Sequence, residues 1–194
     1  MFRRIRMGAA VAFGLMAAVP AAAQDRALAF QVSGGTYSHL MNLNSAGTAH
    51  FQTGFNLGFN IGVFANKHLG FHGDFTWGNN QAKGDLAFKD RFINRYFYGA
   101  HVELQLPTGK GITPYLFGGG GGVTVNQDGG TVEVNRFTSA AGMFGGGLSY
   151  QIPEHRVEVF VEGKGLAYKW KSLDFNRTQL DMTLSMGLGY RVGF

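Results

Sequence analysis

Residues 179–194 read QLDMTLSMGLGYRVGF. The even positions, Leu180, Met182, Leu184, Met186, Leu188, Tyr190, Val192 and Phe194, are all large and apolar. The odd positions, Gln179, Asp181, Thr183, Ser185, Gly187, Gly189, Arg191 and Gly193, are polar or nearly bare. Successive side chains of a β-strand point to opposite faces, so this period of two is a strand with one greasy side and one narrow side. It is far longer than the roughly 5–6 residues of a globular strand. It also exceeds the about 9–11 residues that a tilted strand needs to cross a bilayer.

The alternation recurs upstream. From Phe51 to Val63 the odd positions Phe51, Thr53, Phe55, Leu57, Phe59, Ile61 and Val63 form an apolar face. Gln52, Gly54, Asn56, Gly58, Asn60 and Gly62 form the other. Leu69, Phe71, Phe75 and Trp77 alternate with Gly70, His72, Asp74 and Thr76. Tyr96, Tyr98, Ala100, Val102, Leu104 and Leu106 alternate with Arg95, Phe97, Gly99, His101, Glu103 and Gln105. Val157, Val159 and Val161 alternate with Glu158, Phe160 and Glu162. Weaker copies near 27–37, 112–125 and 137–151 bring the expected number of strands to eight. Short connections, Ala65–His68, Pro107–Gly111 and Ile152–His155, alternate with long ones at Ser38–Ala49, Gly78–Arg91, Asn126–Arg136 and Lys169–Thr178. This pattern predicts an all-β fold: an eight-stranded antiparallel up-and-down transmembrane β-barrel, with periplasmic turns and longer outer loops.

Composition agrees with an exported membrane chain. Charged residues make up 15% of the 194, and there are 31 glycines and 18 phenylalanines; soluble domains carry about 25% charged residues and about 7% glycine. Arg3, Arg4 and Arg6, the apolar stretch Met7–Val19 and the small residues Ala21 and Ala23 form a signal peptide expected to be cleaved after Ala23. Residues 1–23 are then the signal peptide and 24–194 a single barrel domain. Removing three arginines from 17 basic residues leaves 14 against 12 acidic ones, so no nucleic-acid partner is implied. Cysteine is absent, which excludes disulfides and thiol chemistry.

The whole mature stretch resembles the small eight-stranded barrels of the OmpA/OmpX type, in the outer-membrane β-barrel-domain family. The glycine-rich segments YLFGGGGGVTV and MFGGGLSYQI resemble their fifth and sixth strands. The ending LSMGLGYRVGF, with Tyr190 and the terminal Phe194, resembles the signal read by the outer-membrane assembly machinery. The resemblance implies a location in the outer membrane of a Gram-negative bacterium, and a monomer surrounded by outer-membrane lipid and lipopolysaccharide.

An eight-stranded bore is just wide enough for side chains. The bulky face therefore belongs in the lipid, which sets aside a soluble lipocalin-like barrel with its apolar residues inside. The glycines at 54, 58, 62, 99, 145, 187 and 189 then face the narrow lumen. The expected lumen network is His72, Asp74, Arg95, His101, Glu103, Glu158, Glu162, Lys164, Asp181 and Arg191. Buried charges are costly alone, so they should pair, with Glu158 facing Arg191. Such a set plugs the lumen or, alternatively, lines a narrow porin-like channel or a path for small hydrophobic molecules.

Enzymatic readings find little support. The lipid A deacylases of this architecture carry His-x-Ser-Asn, and none of His39, His50, His68, His72, His101 and His155 is followed by Ser at the second position. No catalytic residue, cofactor or metal is expected, and His72 with Asp74 is read as part of the lumen network. The run Gly118–Gly122 lacks the ending of a phosphate loop and signals close backbone packing. Trp77, Phe92 and Tyr168 are expected at the outer lipid interface, and Tyr115, Tyr150, Tyr190 and Phe194 at the inner one. Lys169, Lys171 and Arg177, in the fourth long loop, are expected to contact lipopolysaccharide phosphates. In the second, the apolar triplet Leu86–Phe88 faces either a partner or the rim.

Overall fold

The protein is described by a computed structural model over residues 26–42, 49–84, 91–109, 111–128, 136–152, 155–172 and 175–194. The expected signal peptide and the triplet Leu86–Phe88 lie outside these residues. The elements are β1 (Ala27–His39), β2 (Ala49–Phe51), β3 (Gly54–Phe64), β4 (Leu69–Gly84) and β5 (Phe92–Gln105), followed by β6 (Ile112–Asp128), β7 (Phe137–Gln151), β8 (Val157–Ser172) and β9 (Phe175–Gly193). Each strand is antiparallel to its neighbours. Pairing runs β1–β3–β4–β5–β6–β7–β8–β9 and closes where β9 meets β1, with Tyr190 opposite Phe30. β2 continues the line of β3 along β4, so the closed wall has eight staves. Closure gives each stave a hydrogen-bonded neighbour on both sides and leaves no open sheet edge, which hydrocarbon requires.

The alternating pattern sorts the side chains as the sequence suggests. Phe30, Val32, Phe59, Phe75, Leu184 and Met186 are exposed on the outer surface, while Gln31, Asp74, Thr183 and Ser185 are buried inside. Glycines make room for the inward groups. A Cβ on Gly62 would stand 2.4 Å from His72 Nδ1, and one on Gly187 2.5 Å from Phe160 Cζ. The run Gly118–Gly122 lies within β6; a Cβ on Gly119 would stand 2.1 Å from the Ala100 carbonyl oxygen, so the close inter-strand approach excludes any side chain there.

Two expectations are corrected. Phe51 does not share the lipid face with Phe55. The pairs Phe51↔Ala82 and Phe55↔Asn79 leave one extra residue on the β2–β3 side. This β-bulge at Gln52–Thr53 inverts the facing, and Phe51 is buried inside the barrel. The fourth long loop is also much shorter than expected. β8 continues to Ser172 and β9 starts at Phe175, because the two strands keep pairing past Lys169, from Lys169↔Thr178 to Ser172↔Phe175.

Candidate functional site

The lumen is filled in layers. At the outer end Asp181 is the hub. It accepts hydrogen bonds from Tyr37 Oη at 2.5 Å and Tyr168 Oη at 2.9 Å, and it also contacts His39 Nδ1. Arg95 completes the layer: Nε donates to Tyr168 Oη at 3.1 Å, Nη1 donates to Asn80 Oδ1 at 2.7 Å, and Nε lies 3.6 Å from Asp181 Oδ2. The guanidinium sits 4.3 Å from the centre of the Phe51 ring, and Phe51 packs on Trp170 at 5.7 Å. A cation over an aromatic face gains from the ring quadrupole, more so when water is excluded. The bulge that turns Phe51 inward therefore supplies one wall of the arginine's cage.

In the middle layer Lys164 Nζ donates to Asp74 Oδ2 at 2.6 Å and Thr76 Oγ1 at 3.2 Å, and lies 3.6 Å from Glu162 Oε1. Tyr115 Oη donates to Glu162 Oε2 at 3.2 Å. Beside this layer the parallel rings of His72 and His101 stack with centroids 5.0 Å apart. At the inner end Arg191 Nη2 lies 2.6 Å from Glu158 Oε2, and Nη1 donates to Gln105 Oε1 at 3.1 Å. Gln31 Nε2 donates to Glu158 Oε1 at 3.0 Å, and Gln105 Nε2 donates to Glu103 Oε1 at 2.6 Å. All ten residues named from the sequence thus point into the bore, in three linked groups.

Two aromatics expected at the lipid interfaces are instead part of this network: Tyr168 and Tyr115 are buried and hydrogen-bonded inside the barrel. Both share the inward parity of their strands, Tyr168 with Glu162 and Lys164, and Tyr115 with Phe117. That parity was the available signal for them, as it was for Tyr37, Gln31, Gln105 and Trp170. Phe92, Tyr150, Tyr190 and Phe194 are exposed on the outer surface. Trp77 donates from Nε1 to Asn94 Oδ1 at 3.0 Å, covering a polar residue on the outer face. Lys169 and Arg177 are exposed on the β8–β9 hairpin, and the backbone of Lys171 stands opposite that of Asn176 in the strand register.

A closed eight-stave wall, apolar outside and packed with polar groups inside, defines a small outer-membrane barrel. The chain belongs to the outer membrane protein beta-barrel domain family, whose model matches residues 9–191. It resides in the outer membrane of a Gram-negative bacterium. Among solved structures it resembles Neisserial surface protein A, with 19% identity over 87% of this chain and 97% of that one and a TM-score of 0.63. It also resembles the N-terminal β-barrel domain of Pseudomonas aeruginosa OprF, with 13% identity, coverage of 87% and 98%, and a TM-score of 0.55. A third is Ail, the attachment invasion locus protein of Yersinia pestis, with 14% identity, coverage of 87% and 100%, and a TM-score of 0.52. At these identities the likeness concerns the fold. No curated protein sequence matches the chain.

Proposed function

We propose that this protein is a sealed, non-enzymatic barrel with a structural and surface-interaction role, a rigid wall that holds its outer hairpins at the cell surface. The observation that carries the reading is the continuity of the filling, from the Arg95–Asp181 layer through Lys164–Asp74 to Arg191–Glu158. Paired, hydrogen-bonded groups of this kind hold one another in place, and opening a path would strand charges in a water-poor bore. The exposed Lys169 and Arg177, on the hairpin whose sequence also carries Lys171, are suited to lipopolysaccharide phosphates. The exposed Tyr190 and Phe194 at the end of β9 are suited to recognition by the assembly machinery, after which the barrel stands as a monomer. The test is a planar-bilayer recording of the purified protein. A sealed lumen gives no conductance steps above background, whereas reproducible steps would favour a narrow channel and overturn the reading.

A further inference from the structure

The inner part of the lumen carries an imbalance that the outer part lacks. Asp181 is matched by Arg95. Further in, among the described residues, the four carboxylates Asp74, Glu103, Glu158 and Glu162 share two buried or half-buried cations, Lys164 and Arg191. Lys164 is held by Asp74 and Arg191 by Glu158, both at 2.6 Å. Glu103 has one oxygen occupied by Gln105, while its Oε2 points toward His72 Nε2 at 3.8 Å. Uncompensated charge in such a medium is costly.

A second observation falls at the same place. Among the described residues, neither ring nitrogen of His72 nor Nδ1 of His101 has a hydrogen-bond partner, although both side chains are at least nine-tenths buried. Buried polar atoms are almost always paired, and an orphan often marks the seat of an ion or water. Ligand atoms of His72, His101 and Glu103 all lie within 4.8 Å of one another.

We propose that His72, His101 and Glu103 form a binding site for a first-row divalent cation of the zinc class at the inner end of the bore. Two imidazoles and a carboxylate are a common protein donor set for zinc, with a fourth position left for water. Two positive charges also match the excess of two carboxylates. Bonds of about 2.0–2.2 Å require the donors to draw closer than they stand. A ligated ion lies in the plane of each imidazole, and the two rings are parallel to within 3°, so one of them turns as the ion enters. The glycines beside His72 leave that ring its room: a Cβ on Gly70 would stand 2.8 Å from its Nε2. Gln105, donating to Glu103, orients the carboxylate as an outer partner.

The test uses the full barrel purified from outer membranes in detergent, stripped with a chelator and titrated with zinc chloride alone. The expected result is one zinc ion per chain, with Glu103→Gln and His101→Gln each weakening binding by more than the roughly 10–100-fold typical of losing an outer partner. Substoichiometric, non-saturating zinc, or variants that bind as well as the parent, overturns the proposal. Should a variant fail to fold, imidazole nitrogen resonances of the unmodified protein decide. Zinc must shift those of His72 and His101; shifts confined to His39, His50, His68 or His155 would place any ion elsewhere and sink the site.

Discussion

At its outer end the lumen holds the Arg95–Asp181 pair inside an aromatic cage; toward its inner end the described carboxylates outnumber the described lysine and arginine in a looser polar chain. The outer group is over-determined. Asp181 is approached by two tyrosines, a histidine and an arginine, and the arginine is in turn held by Asn80 and faced by Phe51. At the inner end Arg191 keeps partial exposure, and Glu103 Oε2 stands 3.8 Å from His72 Nε2, beyond hydrogen-bond range. Charged groups and aromatic rings thus converge on one carboxylate toward the outer end, whereas toward the periplasm the contacts are spread over several.

The most severe way to break the contrast is Asp181→Asn. It leaves Arg95 buried without its carboxylate, a loss expected to cost about 3–5 kcal/mol, read from urea unfolding in lipid vesicles. Phe59→Arg tests the wall that both ends share. Phe59 is exposed in the middle of β3 beside Val32 and Phe75, and a charge there should cost about 2–4 kcal/mol near the bilayer midplane by the same measurement. At the inner end Arg191→Ala should cost only about 1–3 kcal/mol, since Gln31 still serves Glu158. Tyr115→Phe removes one hydrogen bond to Glu162 and should cost about 0.5–1.5 kcal/mol. The smallest effect is expected from Glu103→Gln in chelator-stripped protein, where losing one surplus negative charge leaves stability unchanged or slightly raised. A loss as large as that of Asp181→Asn would erase the distinction between the two ends.

Much of this arrangement is legible in the chain because a β-strand has only two faces. Once β9 is phased by Met186 and Leu188, the inward positions of Asp181 and Arg191 follow, and the same counting places Glu158, Glu162 and Lys164 on β8. Phase is also what failed at Phe51. A bulge adds one residue without any mark in the hydrophobic pattern, since Phe51 and Phe55 remain alike in character and spacing while facing opposite ways. Tyr115 and Tyr168 depart from expectation for another reason. Tyrosine favours membrane interfaces, yet a buried phenol with a carboxylate partner satisfies both its ring and its hydroxyl, so strand parity decides. Cross-strand partners such as Lys164 and Asp74, ninety residues apart, depend on barrel closure and leave no local trace.

The bulge at Gln52–Thr53 has an evolutionary corollary. Loop lengths at the cell surface change readily by single insertions and deletions. In this barrel, losing one residue at that spot would leave Phe51 three positions before Phe55, where plain alternation also turns it inward opposite Ala82. The aromatic ring over Arg95 is thus buffered against the kind of mutation that surface segments tolerate best, and every stave below keeps its alignment.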